Sequence, residues 1–391
     1  METKCVDAWA SLETNCEGQV KLCCMSENNL FPNKHVGIVS LDSYVNSPVL
    51  KEIREYMLAG KWHPNCKLCK IEEEAGHSSK RIRDNLYFKG YDEIGKKLNQ
   101  PIILDLKLGT KCNISCRTCG YFNSSAWVKE NMHFADNHTK QTINNFQKQV
   151  DLAYKKDNTN LWGVFDKWLP NLKHIDMYGG EPMLIKKQWE IIKKSADLGY
   201  SKNQSIHYNT NGTIFKLEYM DILKKYKNVN IQFSIDGIFE MFEYLRYPAK
   251  WNKVYNNMMK YKEMANDTYN INYNVCVTIS IYNIYYLDII VDFILNKLNF
   301  SVWLNLVHMP EYFNIINIPD SIKPNIIDKL EKNYNKKTFS SLKPILRLMK
   351  STPCDINVFN RFKEITAQHD SYRNQSFEKT FPEFAELIKG N

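Results

Sequence analysis

Three cysteines, Cys112, Cys116 and Cys119, stand at x3 and x2 spacing in "KCNISCRTCG" (111–120), directly after the strand-like run "IILDLKL" (102–108). A structural zinc takes four ligands, so three thiols are one short unless a distant residue joins them. A cubane [4Fe-4S] cluster held by three cysteines keeps one iron open to bind a small molecule. Spacing alone leaves half a zinc site and the open cluster both standing. Further along, "MYGGEP" ends a second strand-like run with Gly179, Gly180 and Glu181. Glycines let a backbone approach a ligand closely; an ordinary strand-to-helix turn is the alternative. "YNTNG" offers Asn209 and Asn211, and "FSIDG" offers Ser234 and Asp236, each at a strand end. Nearer the N-terminus, Cys5, Cys23 (five residues after Gly18), Cys66 and Cys69 supply the four thiols of a complete metal site, for which zinc is the plain candidate. Cys24 competes with Cys23 for its place, and Cys16 and Cys354 look like spares.

These residues need elements to hold them. Strand-like runs at 102–108, 174–179, 205–210, 229–235, 271–279 and 302–307 alternate with helix-like ones at 186–198, 217–226, 251–264 and 286–298. That alternation predicts βαβ units and a parallel sheet. Six units in about 210 residues fall short of the ~250 of a closed eight-unit barrel, so an incomplete barrel or an open doubly wound sheet is expected. The chain divides into a cysteine-rich segment (1–95), an α/β core (96–310) and a helical extension (311–391). In the first segment "NSPVLKEIREYMLAG" predicts one helix, with Ser47 as N-cap, Pro48 at the first position, Val49, Ile53, Met57 and Leu58 on one face and Gly60 as stop. Glu72 to Glu74 with Arg81 and Arg83 read as a solvated charged face, with a substrate clamp as the alternative. The segment carrying Phe377, Phe381 and Phe384 reads as a docking tail.

The 391 residues are 43% hydrophobic, enough for a sizeable core. No apolar run reaches membrane-spanning length and the N-terminus has no signal-like pattern, so a soluble cytoplasmic protein is expected. The 11 cysteines come in close groups, which favours metal ligation over disulfides. The net charge of +9 is scattered rather than striped, so nucleic-acid binding is not favoured.

Cys112-x3-Cys116-x2-Cys119 after the first strand resembles the signature of the radical S-adenosylmethionine (SAM) superfamily. The resemblance implies a partial (β/α)6 TIM-like barrel with a [4Fe-4S] cluster on these three cysteines. Its open iron binds the amino and carboxylate groups of SAM, and an electron donor such as flavodoxin or ferredoxin supplies the electron for reductive cleavage to a 5′-deoxyadenosyl radical. It implies that Gly179, Gly180 and Glu181 meet the methionine amino group, and that Asn209, Ser234, Asp236, Arg246 and Thr278, with Ser280, contact other parts of the cofactor. The family has an aromatic residue just before the third cysteine; this chain has Thr118 there, with Tyr121 and Phe122 later.

The order Cys5, Gly18-x4-Cys23, Cys66-x2-Cys69 is similar to the auxiliary SPASM or twitch segments that bind a second [4Fe-4S] cluster. Those segments normally follow the core, whereas here the segment precedes it. The leading expectation is a radical SAM enzyme, an oxidoreductase or transferase, modifying a peptide or protein side chain. A tRNA or nucleotide substrate is the alternative among enzymes, and a zinc-stabilised non-catalytic binding protein the alternative outside them.

Overall fold

The computed structural model describes residues 3–27, 29–74, 78–333 and 336–389. Its centre is one eight-stranded sheet in the order β2-β1-β3-β4-β5-β6-β7-β8. The strands are β1 (Ser11–Thr14), β2 (Val20–Lys21), β3 (Ile103–Lys107), β4 (His174–Tyr178), β5 (Ser205–Thr210), β6 (Asn228–Ser234), β7 (Ile271–Ile279) and β8 (Ser301–Leu306). From β3 to β8 every pairing is parallel and follows chain order, with β2 and β8 at the two ends of the sheet. The sheet is thus an unclosed, TIM-like (β/α)6 array, and the six strand runs read from sequence match β3 to β8 within a residue or two at each end.

Alternation along the strands sorts the residues onto two faces. Leu104, Leu106, Ile175, Met177, Ile206, Tyr208, Val229, Ile231 and Phe233 enter the hydrophobic core on the helix-packed face. Their neighbours on the inner face are polar or charged: Asp105, Lys107, Asp176, Tyr178, His207, Asn209, Asn230, Gln232 and Ser234. Register aligns them across the sheet, so that Glu13, Asp105, Asp176, His207 and Asn230 form one transverse row.

The cysteine-rich segment is more helical than its sequence suggests. Helices at Lys67–Glu74, Lys80–Tyr87 and Tyr91–Leu98 follow the expected one at Pro48–Leu58, and β1 pairs in parallel with β3, extending the core sheet. Ser47 does cap Pro48–Leu58, accepting from Leu50 N, but the buried face is Leu50, Ile53 and Met57, while Leu58 is exposed. The acidic run is not a uniformly solvated face: Glu73 and Arg81 form a buried two-bonded ion pair, and Arg81 also donates to Lys4 O.

The C-terminal region also departs from expectation. A helix at Ile356–Arg373 precedes Phe377, Phe381 and Phe384, which are buried against Tyr244, Tyr282 and Tyr285 of the core rather than projecting as a tail. No helix among the described residues is long and apolar enough to cross a membrane.

Candidate radical site and second cysteine site

Two loops, one after β3 and one after β4, build the site. In the first, Cys112 N donates to Ser125 Oγ, Ser124 Oγ donates to Ile114 O and Trp127 Nε1 donates to Cys116 O at 3.0 Å. Ser115 N and Arg117 N each donate over 2.7 Å, to Tyr247 O and Leu245 O. These bonds leave the chain little freedom between the three cysteines. In the second, Gly180 N donates to Asn123 O and Glu181 N to Lys111 O, stitching one loop to the other.

That stitching explains the two glycines. At Gly180 (φ +54°) a Cβ would stand 2.4 Å from Lys111 O, and at Gly179 (φ +75°) one would stand 2.7 Å from Lys107 Cβ and 3.1 Å from Cys16 Sγ. Any side chain at Gly180 would force the loops apart. Cys16, a spare by sequence, is buried directly behind Gly179 with its Sγ 3.4 Å from Asn123 Oδ1.

A cavity of about 260 Å³ is lined by Cys112, Cys116 and Cys119 together with Gly179, Gly180, Asn209, Ser234 and Arg246. Glu181, Asp236 and Thr278 stand behind this wall. Glu181 is fully buried, its carboxylate accepting from Thr210 Oγ1 (2.8 Å), Asn211 N (2.7 Å) and Met183 N (3.1 Å), so it fixes the end of β5. Asp236 pairs with Arg246 at 2.8 Å and accepts from Thr278 N at 2.9 Å. Arg246 in turn directs Nη1 to Cys116 Sγ at 3.6 Å. Ser280 is buried and tied by Asn283 through its backbone N–H. Tyr121 packs edge-on against Phe146 and Phe122 is half exposed.

Asn211, offered together with Asn209 by the sequence, lines the cavity as well, and so do Lys107, Asn123, Thr210 and Tyr178, which the sequence does not single out. Lys107 and Tyr178 were legible in principle, being the last inner-face residues of β3 and β4. Asn123 belongs to a loop whose course no strand period fixes.

The donor set fits an iron-sulfur cluster. Burial pushes all three thiols up, Cys116 to about 12, even with the Arg246 guanidinium beside it. Thiolates there need a strong cationic partner. Among the described residues no three Cys, His, Asp or Glu side chains gather tightly enough for a single ion. The three thiols instead surround a volume.

The upstream cysteines come together as well. Cys5, Cys23, Cys66 and Cys69 line one cavity of about 20 Å³ with Leu22, Met25, Met57 and Trp62. Burial raises all four thiols, Cys66 to about 12. Cys24 is exposed to solvent.

Comparison with known proteins follows the same lines. The model of the radical SAM superfamily matches residues 106–282. No curated protein matches the chain. Among solved structures, a hexahistidine-tagged form of anSMEcpe with bound AdoMet is 16% identical over 62% of this chain and 60% of that chain, with a TM-score of 0.40. Streptococcus suis SuiB bound to S-adenosylmethionine is 10% identical over 86% of this chain and 66% of that one, TM-score 0.37. SuiB bound to precursor peptide SuiA is 12% identical over 86% and 71%, TM-score 0.33. This chain thus spans under two thirds of the length of the tagged anSMEcpe chain. Residues 106–282 of this chain are a radical SAM superfamily domain.

Proposed function

We propose that the chain is a radical SAM enzyme that binds a [4Fe-4S] cluster on Cys112, Cys116 and Cys119 and modifies a peptide or protein side chain. The observation that carries the reading is the meeting of three thiols with Gly179, Gly180, Asn209, Ser234 and Arg246, contributed by separate loops and strand ends, around one cavity. When bound, such a cluster would supply the electron that cleaves SAM reductively, the source of a hydrogen-abstracting 5′-deoxyadenosyl radical. The chain's own residues prepare for that event. Gly179 and Gly180 allow the backbone close to a ligand, while Asn209 and Ser234 present hydrogen-bonding groups to the same cavity. Arg246, held by Asp236, offers positive charge to the Cys116 sulfur. Hydrogen bonds to ligand sulfurs and net charge both set a cluster's potential.

Cys5, Cys23, Cys66 and Cys69 are proposed to hold a second [4Fe-4S] cluster. The peptide substrate follows from the resemblance of this segment to SPASM and twitch segments. A reductant such as flavodoxin or ferredoxin belongs to the same reading.

The test is an iron and sulfide count after anaerobic reconstitution, with electron paramagnetic resonance, on the wild type and on a triple Cys112→Ala, Cys116→Ala, Cys119→Ala variant. About eight irons falling to about four, with loss of the signal that shifts on adding SAM, is the expected result. Stoichiometric zinc unaffected by the triple substitution would overturn it in favour of a zinc-stabilised protein.

A further inference from the structure

The two ends of the sheet are finished differently. At one end β2 is two residues long, one of them Lys21, and its outer side is occupied, Leu30 N donating to Val20 O at 2.8 Å. At the other end β8 runs for six residues, Ser-Val-Trp-Leu-Asn-Leu, with neither charge nor proline. Soluble proteins ordinarily guard an edge strand with lysine, proline, a bulge or brevity, because its free N–H and C=O groups template pairing with another chain. β8 carries none of the first two guards and is not short.

Register shows which of its backbone groups are free. Val307 N donates to Ile279 O at 3.0 Å, towards β7. Backbone groups alternate sides along a strand, so Ser301, Trp303 and Asn305 bond β7, while Val302, Leu304 and Leu306 turn their N–H and C=O away from the sheet. No group among the described residues bonds these three on that side. Their side chains are half-buried on the core side, and those of Ser301, Trp303 and Asn305 are exposed on the inner face. Trp303 is 54% exposed there.

This edge is continuous with the cysteine cavity. Trp303 lies in register with Cys276, and Cys276 with Ser234, which lines that cavity. The inner-face row Ser234–Cys276–Trp303 therefore leads from the cavity to one lip of the unclosed sheet. What fits the lip follows from its chemistry. Outward N–H and C=O groups on every second residue, about 6.7 Å apart, match another extended backbone, and uncharged side chains offer nothing to a phosphate. A second copy paired here would set a whole domain against the mouth through which substrate reaches the cavity; a single peptide strand leaves it open. A ninth strand would lie roughly 14 Å from β6, three strand spacings, a distance that four or five extended residues cross.

We propose that the outer edge of β8 takes the substrate peptide as a ninth strand, with an apolar or aromatic side chain laid on Trp303, so that residues beyond the paired segment cross the ends of β7 and β6 into the cysteine cavity. The inference rests on the peptide-modifying radical SAM reading. It narrows the substrate to a peptide that carries an extended, uncharged segment a few residues from the modified side chain.

Hydrogen–deuterium exchange resolved to single amides tests it on the full chain. In the free chain the amides of Val302, Leu304 and Leu306 should exchange at least about tenfold faster than those of Trp303 and Asn305. The probe is acetyl-Lys-Thr-Val-Thr-Phe-Thr-Lys-amide, whose β-branched and aromatic residues favour an extended chain. At millimolar concentration it should slow the three fast amides by about tenfold or more. A version N-methylated along one backbone edge should still protect them, since its other edge can pair. A version methylated along both edges should lose about tenfold or more in affinity. Trp303→Ala should abolish the preference, about threefold or more, for this probe over one with alanine in place of phenylalanine.

Slow exchange of all three amides in the free chain would mean that the edge is covered, and protection that grows with the concentration of the chain alone would mark a second copy as the occupant. Either result overturns the proposal, as do unchanged exchange with the probe and full protection by the version methylated along both edges. Exchange needs neither iron nor turnover. Iron on Cys112, Cys116 and Cys119 without protection of β8 therefore breaks this inference alone, and protection without iron breaks the radical reading alone.

Discussion

The two cysteine sites of this chain differ in what surrounds their sulfurs. Cys112, Cys116 and Cys119 stand around about 260 Å³, and the opposite walls are glycine backbone, amide and hydroxyl groups and one arginine. Cys5, Cys23, Cys66 and Cys69 stand around about 20 Å³, closed by Leu22, Met25, Met57 and Trp62 and backed by the buried Glu73–Arg81 pair. The first has more volume than its ligands need and a polar lining that can hold a second molecule. The second has a complete set of four donors and no space for a further molecule, its walls mixing Leu22, Met25, Met57 and Trp62 with Asp7, Asn65, Lys80 and Arg81, which suits a metal group that is itself the core of a small subdomain. Three donors with room to spare point to chemistry, and four donors without room point to structure or electron relay.

The strongest way to break that contrast is to remove donors from each site and compare stability. Cys66→Ala with Cys69→Ala should cost the segment its metal and most of its fold. Structural four-cysteine metal sites contribute on the order of 10 kcal/mol, as much as the stability of a whole domain. The triple substitution at Cys112, Cys116 and Cys119 should abolish the SAM-responsive signal while leaving the melting temperature much nearer to wild type. Thermal melts with limited proteolysis of both variants decide it; equal destabilisation would mean that both sites are structural.

Next in size is the contact between the cysteine loop and the C-terminal helices. Arg117, between the second and third cysteines, is 1% exposed, pairs with Asp370, donates to Gln375 Oε1 at 3.0 Å and lies over the Tyr244 ring at 3.9 Å. Close by, Glu130 joins His369 and Arg373, and Arg373 covers the Trp127 ring at 4.5 Å. Breaking one partner of a buried pair costs about 3–5 kcal/mol, so Asp370→Ala should lower stability by that amount in urea unfolding. If the loop depends on this clamp, the SAM-induced change in the resonance signal should broaden in Asp370→Ala, whereas the metal content of the N-terminal cysteines should stay constant. A variant that loses iron from both sites equally would deny the clamp its local role.

Gly180→Ala gives a smaller but more local effect. The added methyl meets Lys111 O at 2.4 Å in a backbone with φ +54°, and such strained positions cost about 1–3 kcal/mol. Because Lys111 precedes Cys112, the displacement falls on the cysteine loop, and SAM affinity measured by equilibrium dialysis should drop further than stability does. Unchanged affinity would remove Gly180 from the site.

How much of this was readable in the sequence follows from the range of each interaction. The strands β3 to β8 were legible because alternation of buried and exposed residues is local, and the motif residues lie at their ends. Glu181 was found, but its inward carboxylate was not, since Thr210 and Asn211 approach only when β5 lies beside β4. The acidic row was invisible for the same reason: Glu13, Asp105 and Asp176 are far apart in the chain and meet only through register. Phe377, Phe381 and Phe384 read as a tail because nothing local announces Tyr244 and Tyr282 as their partners.

The smallest effect sharpens the comparison at the ligand position with an adjacent rival. Cys23 and Cys24 are neighbours, and the Gly18 spacing alone chose Cys23. Cys23 lines the small cavity with Cys5, Cys66 and Cys69, while Cys24 is exposed. The strand ends at Lys21 and the chain turns over residues 22–25, closed by Ser26 N donating to Cys23 O, so that one thiol faces the cavity and its neighbour faces solvent. Cys24→Ser should therefore leave metal content unchanged and stability within about 0.5 kcal/mol, as for surface substitutions generally. Cys23→Ser should lose the metal of the N-terminal site while the Cys112, Cys116 and Cys119 signal persists. The reverse pattern, metal lost with Cys24→Ser and kept with Cys23→Ser, would turn the segment over and open the small cavity to solvent, erasing the difference between a closed site and an open one.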